Sequence, residues 1–282
     1  MKQRSAIPVA AICFLLCFSK VPTAAQYFYH DILSPQATAN QLKTYKQAKV
    51  RKVLLHSFDA DGTPIQGFVG VQELSPAYNQ IKTFTQPGPA QQSVVISHFN
   101  YKTQLIRSTD SSNTGYKTIQ YTYTDDGLLQ RVEINSGTYA TKERERELHL
   151  WQYENGFPQR MWLVRKGTDS TEVRFLPDEN GWVGEEEWWK KGTLVEKYYY
   201  YYDTAGRLTD IVRFHEKARR LLPDHMFAYD TAGRLAEWII VNTATGDYTT
   251  WRYSYNSKML REKDACYNKK KQLLGWITYS YE

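Results

Sequence analysis

Short stretches of alternating apolar and polar residues fill most of the chain, and Gly, Asp, Asn and Pro separate them. This alternation is typical of strands that bury one face. Beyond about residue 113, an aromatic residue ends one stretch, a turn with Asp or Asn and Gly follows, and a second turn lies midway to the next aromatic residue. Each unit therefore predicts two strands that pair antiparallel with their chain neighbours.

The units repeat with a nearly constant period. The same seven residues, Tyr-Asp-Thr-Ala-Gly-Arg-Leu, occupy 202–208 and 229–235. Looser copies occur at 123–129, 153–158, 175–182 and 255–260. The aromatic residues that end the strands are 22, 27, 27, 26 and 26 residues apart: Tyr153, Phe175, Tyr202, Tyr229, Tyr255 and Tyr281. Such spacing predicts contacts between chain neighbours, as in other repeat proteins.

The pattern predicts an all-β fold in which tandem antiparallel β-hairpin repeats form one extended, twisted or curled sheet, with one short N-terminal helix. Asp203 and Asp230 open the repeated turns, because an Asp side chain accepts a hydrogen bond from backbone two residues on. Gly206 and Gly233 follow them. We predict a positive φ at both glycines, since glycine adopts that conformation without steric cost.

The first part of the chain lacks the regular repeat. Ser34-Pro35 favours a helix start, with Ser as N-cap and Pro in the first turn, so we predict one helix over about residues 35–47. Several strands follow it. This region is expected to cover the first edge of the sheet. We divide the chain into a signal peptide, a capping region and a YD-like hairpin repeat region, at 1–25, 26–112 and 113–282.

The N-terminus has the pattern of a signal peptide. Lys2 and Arg4 form a basic start, residues 7–18 are apolar, and 23–25 are small residues that precede a cleavage site before Gln26. A membrane anchor is the first alternative, but a spanning helix needs about 20 apolar residues. A lipoprotein is the second, but no small residue precedes either cysteine of this segment.

Cleavage changes the charge and the thiol count. The chain has 36 basic and 30 acidic residues, a net charge of +6. Loss of Lys2, Arg4 and Lys20 leaves 33 basic residues and a net charge of +3. This balance, with its charges interspersed, does not predict nucleic-acid binding. Cys266 is then the remaining cysteine, so the predicted mature chain forms no intramolecular disulfide.

The two Tyr-Asp-Thr-Ala-Gly-Arg-Leu segments resemble the YD repeat of RHS-type proteins. The resemblance covers at most residues 120–282, is close at 202–208 and 229–235, and is partial in the looser copies. It implies an exported or surface-associated protein with a long antiparallel sheet that curls. Some proteins of that family close such sheets into a shell around a toxin domain. With about six units and no domain after them, this chain departs from that arrangement, and the resemblance implies no catalytic residues.

The sequence contains no complete motif for metal binding, cofactor binding or covalent catalysis, so we predict no cofactor, no metal site and no catalytic residue. His215-Glu216 begins like a zincin helix, but the second histidine of that motif is replaced by Arg219. The segment 59–62 resembles part of a calcium loop, yet it lacks the third oxygen ligand and the distal Glu. A turn is the simpler interpretation.

Aromatic residues are the most unusual feature, at 15 % of the chain. A cluster follows two predicted strands on either side of a Lys-Gly turn, and exposed rings of this kind stack on sugars or on partner proteins. We predict a ligand-binding patch for a glycan or an envelope protein at Trp188, Trp189, Tyr198, Tyr200 and Tyr202. The alternative is that the tyrosines only form cross-strand pairs along the sheet.

The last strand, at about 273–281, follows Lys269-Lys270-Lys271 and has one neighbour in sequence. An uncapped edge strand is a template for pairing with another chain. We therefore expect this edge either to accept a strand from a partner or to form an edge-strand dimer.

These observations predict an exported, non-enzymatic β-repeat protein with a binding or scaffolding role in the periplasm, at the cell surface or in the medium. No second apolar stretch is long enough to span a bilayer. The alternative is an envelope glycan hydrolase that uses acidic residues on the sheet face, with Glu185, Asp210 and Glu237 as candidates.

Export gives the first testable prediction. Mass spectrometry of the exported fraction should find a chain that starts at Gln26, unmodified or cyclised, because the small residues before it suit signal cleavage. Full-length protein that stays in the cytosol would contradict the prediction. Replacement of Ala25 by a bulky residue should block cleavage and serves as the control.

Overall fold

A computed structural model describes residues 27–282, apart from 90, 142–143, 166–168, 217 and 244. The predicted signal peptide therefore lies outside the described residues. The elements in chain order are α1 (His30–Gln47), β1 (Lys52–Asp59), β2 (Val69–Leu74), β3 (Gln80–Gly88), β4 (Gln91–Phe99), β5 (Leu105–Ser112), β6 (Gly115–Tyr123), β7 (Leu129–Thr138), β8 (Arg144–Glu154), β9 (Phe157–Arg165), β10 (Asp169–Pro177), β11 (Val183–Lys190), β12 (Thr193–Tyr202), β13 (Leu208–His215), β14 (Arg220–Tyr229), β15 (Leu235–Asn242), β16 (Asp247–Tyr255), β17 (Arg261–Asn268) and β18 (Leu273–Tyr281).

The described strands form one closed antiparallel barrel of 18 strands. From β1 to β18 each strand pairs with its chain neighbours, and β18 also pairs with β1, from Val53 opposite Tyr281 to Asp59 opposite Gly275. The all-β, antiparallel prediction is confirmed. The prediction of an extended, twisted or curled sheet is wrong, because pairing between the first and last strands closes the sheet on itself.

Closure also removes the edge that we expected at the end of the chain. Seven residue pairs join β18 to β1, while β17 occupies its other side. The last strand thus has a neighbour on both sides and offers no free edge for the strand-addition dimer. The sequence could not show this pairing, since the two strands lie more than 200 residues apart.

The two identical heptapeptides form the same turn. Oδ1 of Asp203 accepts hydrogen bonds from the amides of Ala205 and Arg207, and its Oδ2 pairs with the Arg207 guanidinium at 2.6 Å. Asp230 makes the equivalent bonds one unit later. The predicted positive φ is confirmed at Gly206 (76°) and Gly233 (79°).

Tyrosine hydroxyls explain why an aromatic residue recurs in each unit. The Tyr229 hydroxyl donates to the carbonyl of Leu208 at 2.8 Å, and the Arg207 guanidinium lies 4.7 Å from the centre of the Tyr229 ring. Each such tyrosine therefore ties its hairpin to the one before. The same hydroxyl-to-carbonyl bond is made by Tyr123, Tyr202, Tyr255 and Tyr281.

The helix lies inside the ring of strands. Residues 27–45 contact side chains of β2, β8, β11, β14 and β18, strands distributed all around the barrel. On α1 the buried positions are Pro35, Ala39, Leu42 and Tyr45, whereas its opposite side is exposed. The segment expected to cover a sheet edge instead packs against the inner face of a sheet that has closed.

The helix begins earlier than the sequence indicates. We predicted a start at about residue 35 with Ser34 as N-cap, but α1 begins at His30 and contains Pro35. The five added residues include Asp31, whose carboxylate contacts His149 and Trp151 of β8. Tertiary contacts of the first turn therefore fix the helix start in place of a local cap.

Glycine at the repeated turn gives the second prediction. Gly206→Ala should destabilise the barrel by more than the about 1–2 kcal/mol that a left-handed alanine costs, because its Cβ would lie 2.8 Å from Cζ2 of Trp182. Gly156→Ala is the matched control, with φ of 81° and no described atom within 4 Å of its Cβ. Urea unfolding followed by tryptophan fluorescence measures both; equal losses would contradict the predicted role of Trp182.

Candidate functional site

The predicted aromatic patch is divided between the two faces of the barrel wall. Trp188, Tyr198 and Tyr200 point inward, where the Trp188 ring packs 4.7 Å from Phe28 and Tyr200 packs 5.3 Å from Tyr29. Tyr202 shares their face, and its hydroxyl donates to the carbonyl of Val183. Trp189 lies on the outer face under the Arg174 guanidinium.

These five residues therefore form no single surface. The two inward tyrosines are almost completely buried, with 1 % and 3 % of their surface exposed. Their rings contact the chain's own segment around residues 27–29, where a ligand was expected. Trp188 and Tyr198, on neighbouring strands, also pack with their ring centres 5.7 Å apart.

A buried carboxylate, Glu186, lies at the centre of this cluster. It is fully shielded from solvent and faces the interior from the middle of β11. Its oxygens accept four hydrogen bonds, from two backbone amides and two side chains, at distances of 2.8, 2.9, 2.6 and 2.6 Å: Phe28 N, Tyr29 N, Trp188 Nε1 and Tyr200 Oη. A single side chain of the wall thus binds the backbone just before α1.

Burial raises the pKa of Glu186, although its four hydrogen bonds act to lower it. The bonds offset part of the desolvation of the Glu186 side chain and satisfy two amides that would otherwise lack partners inside the barrel. Removing the carboxylate would leave those amides and the Tyr200 hydroxyl unsatisfied. Glu186 is therefore a structural receptor for the N-terminal segment, and its oxygens are occupied by the chain itself.

A second buried group, His149 on β8, also holds this segment. Its Nδ1 lies 2.5 Å from Oδ2 of Asp31 on α1, and its Nε2 lies 2.7 Å from Oε1 of Glu147 on β8. Glu147 also forms an ion pair with Arg165. The imidazole thus joins a carboxylate of the internal segment to a carboxylate of the wall.

The electrostatics favour a charged imidazolium at this position. Burial by itself would lower the pKa of His149, but the carboxylates of Asp31 and Glu147 raise it to about 9. Burial would raise the pKa of Glu147, but His149 and Arg165 lower it to about 2. At neutral pH the four side chains therefore form a compensated ionic network that fixes the first turn of α1.

Sequence reasoning missed both groups. Glu186 stands within a run of three acids, Glu185-Glu186-Glu187, and His149 belongs to no metal or catalytic motif. One signal was available: Glu186 shares its strand face with Trp188, two residues on, so a carboxylate lies on an aromatic face. The partners from residues 28–31 could not be inferred, because nothing in the sequence placed that segment inside the sheet.

The acids that we considered for a glycan hydrolase lie on β11, β13 and β15. Glu185 pairs with Lys197 at 2.7 Å and Glu237 with Arg252 at 2.8 Å, both across neighbouring strands. Asp210 lies on β13 opposite Tyr201. The three acids occupy every second strand, and alternate strands are about 10 Å apart, so the arrangement places no two of them side by side on adjacent strands.

The outer face of the wall carries rows of ion pairs. Glu185 precedes and Glu187 follows the inward-facing Glu186, and both acids contact Lys197 from the outer face. Similar rows join β7 to β8, β9 to β10 and β15 to β16. A basic side chain on the outer face costs about 2–4 kcal/mol at the middle of a bilayer. These rows therefore suit a wall whose outer face meets water.

Two further findings limit the chemistry of the described residues. No three or more His, Cys, Asp and Glu side chains among them are grouped so as to hold a metal ion. Burial raises the pKa of the Cys266 thiol to about 12, which disfavours the reactive thiolate.

Within the described part of the chain, no helix has the length and apolar composition needed to cross a membrane.

Comparisons with known proteins identify no family. No protein-family model matches the chain, and no curated protein matches it. Among solved structures, a porin-like protein from Bacteroides uniformis ATCC 8492 is 8 % identical with a TM-score of 0.43; the match covers 83 % of this chain and 98 % of that one.

Two other solved structures are similar over much of this chain. The Photorhabdus luminescens Tc holotoxin pore is 9 % identical over 83 % of this chain and 17 % of that chain, with a TM-score of 0.30. A DUF1329 family protein from Desulfovibrio piger ATCC 29098 is 9 % identical over 87 % of this chain and 91 % of that one, with a TM-score of 0.22. Likenesses at this level carry no argument about function.

The ionic network gives the third prediction, a decline of stability at alkaline pH. The folded-state pKa of His149, about 9, lies above its ordinary value of 6.5. The contribution of the charged His149 imidazolium to the free energy of unfolding is therefore complete below about pH 6.5 and is lost as the pH rises through about 9. The lowered pKa of Glu147 acts oppositely: its contribution is present above about pH 4.5 and is lost as the pH falls towards about 2.

Urea unfolding between about pH 6 and 10 measures this effect, which is expected to be on the order of 3 kcal/mol. The variant His149→Gln should be less stable at pH 6 and should lose the His149-dependent part of the alkaline decline. The matched control His98→Gln, at a half-buried position on β4, should retain it. Parallel pH profiles for both variants would refute the assignment.

Proposed function

We propose that the chain is an exported, non-enzymatic β-barrel protein with a binding or scaffolding role at the cell envelope or outside the cell. One observation carries the proposal: the chain's own N-terminal segment occupies the inner face where a substrate would bind. Glu186 accepts hydrogen bonds from the backbone amides of residues 28 and 29, and the carboxylates of Asp31 and Glu147 contact the His149 imidazole. The polar groups best suited to chemistry therefore serve to hold the fold.

Export is the second part of the proposal and rests on the sequence. The basic start, the apolar run and the small residues before Gln26 support a cleaved signal. The resemblance to YD repeats of RHS-type proteins supports the same compartment and stays a prediction. The barrel is held by its closed ladder of strands and its internal segment, and the buried Cys266 is a free thiol.

A partner would have to meet the outer face or a rim of the barrel. The outer face combines the rows of ion pairs with exposed apolar residues, several of them on β12 and β13: Leu194, Val195, Tyr201 and Phe214. Scattered surface apolar residues are ordinary, whereas a local concentration marks a contact surface. This concentration supports binding on the outer face more than within the barrel.

The alternative function, an envelope glycan hydrolase, has weaker support. Two carboxylates that cleave a glycosidic bond lie about 5–9.5 Å apart and flank the substrate. Here Glu185 and Glu237 each pair with a basic side chain on separate strands. Such pairing suits a surface ladder of charges more than a site that must protonate a leaving group.

The fourth prediction separates these two functions. Purified mature chain is incubated with an array of envelope glycans and with isolated envelope proteins, and both retention and release of reducing ends are measured. We expect saturable retention without released product, because the interior groups are occupied. Product release that Glu185→Gln or Glu237→Gln abolishes would overturn the proposal in favour of the hydrolase. Chain unfolded in urea is the control for nonspecific retention.

A further inference from the structure

The first described residues lie inside the barrel, directly after the predicted cleavage site. Residues 27–31, which we call the docked segment, follow Gln26, where the mature chain is expected to start. Phe28 retains 2 % exposure, and its ring centre lies 5.1 Å from that of His149 and 4.7 Å from that of Trp188. The wall therefore encloses the chain within three residues of the bond that a signal peptidase would cut.

Tyr27, one residue closer to the cut, is half-buried among aromatic rings of the wall. Its ring centre lies 6.4 Å from that of Tyr198, 6.1 Å from that of Tyr200 and 5.8 Å from that of His225. The two tyrosines belong to β12 and the histidine to β14. Burial raises the pKa of the Tyr27 hydroxyl, and the Glu186 carboxylate adds to the shift. Contacts with the interior thus begin at the first described residue.

The backbone of the docked segment is bound as well as its side chains. Glu186 accepts hydrogen bonds from the amides of Phe28 and Tyr29 at 2.8 and 2.9 Å, and the Asp31 carboxylate contacts His149. Proteases cut backbone that is exposed or has opened locally, because the substrate must leave its own contacts to enter an active site. Cleavage next to this segment therefore requires that these bonds break first.

Chain length limits how far the scissile bond can lie from these contacts. The bond before Gln26 is three residues from Phe28, at most about 11 Å of extended chain. Glu186, which binds the Phe28 amide, stands three residues from the start of β11 and four from its end, or about 10–13 Å along the strand. With the segment docked, the bond reaches no further than about the end of β11. A peptidase that must hold residues on both sides of the bond has no access to it there.

We propose that cleavage before Gln26 and docking of residues 27–31 exclude each other. The signal is removed while the segment is outside, and docking then carries the new N-terminal region into the barrel. Docking before cleavage would instead trap an uncleaved precursor. Glu186 and His149 are thus the receptor for a processed N-terminal region. This inference rests on the export part of the proposed function and adds the order of the two events.

A chain with a cleavable leader tests this exclusion without a membrane. A hydrophilic leader of equal length replaces residues 1–25 and ends in a protease recognition sequence, so that the cut falls before Gln26. Hydrogen exchange at the Phe28 and Tyr29 amides measures the docked fraction, and mass spectrometry measures the rate of cleavage. A synthetic peptide with the recognition sequence and residues 26–31 gives the rate for a fully accessible bond. We expect the cleavage rate of each chain to follow its undocked fraction, because only the undocked chain is cut.

Variants that weaken docking provide the fifth prediction. Glu186→Gln should speed exchange of the two amides in the mature chain about tenfold, because an NH2 group then replaces one of the acceptor oxygens. Asp31→Asn should act in the same direction, and it changes the docked segment while it leaves the wall unaltered. Glu185→Gln is the matched control, since this acid pairs with Lys197 on the outer face. The control should exchange as the parent does.

In the leader chain, each substitution should change amide exchange and cleavage by one common factor. Fast cleavage of a leader chain whose Phe28 and Tyr29 amides exchange slowly would overturn the inference, as would slow cleavage of one whose amides exchange fast. These measurements involve neither export nor a ligand. If they fail while the exported chain still starts at Gln26, the proposed export stands and the order of the two events is wrong.

Discussion

The pairing of β1 with β18 is the interaction on which the rest of the structure depends. It joins the first and last strands over seven residue pairs and removes both edges of the sheet. Closure brings the inner faces of distant strands opposite one another, around a space that side chains must fill. The N-terminal segment supplies part of it, since Phe28, Leu42 and Tyr45 belong to the same buried cluster as the walls. Closure and internal packing therefore stabilise each other.

Two buried titratable side chains, Glu186 and His149, give the internal segment a defined position. Glu186 binds the backbone amides at residues 28 and 29, and His149 bridges Asp31 to the wall. Apolar packing alone is nondirectional, whereas these bonds fix the depth and the orientation of the helix start. Because the same groups would have been the natural candidates for chemistry, their structural use directs attention to the outer face.

Local chemistry explains what could be predicted in the repeats. An Asp followed by Gly specifies the turn through its own backbone, as at Asp203 and Gly206. Alternation then assigns faces within each strand. The same alternation gives Trp188, Tyr198 and Tyr200 one common face, but it does not say whether that face is exposed. The predicted binding patch assumed exposure, and the structure places these three rings against Phe28, Tyr29 and neighbouring aromatic residues.

The sequence by itself determined the antiparallel hairpins, their neighbour order and their positive-φ glycines, because each depends on residues a few positions apart. Tertiary structure decided that the sheet closes, that α1 begins at His30 and lies inside, and that Glu186 and His149 are buried receptors. These features depend on contacts between residues more than 100 positions apart, such as Phe28 with Glu186 and Val53 with Tyr281. No local pattern encodes such contacts, since the free energy that selects them comes from burying surfaces that meet only in the closed barrel.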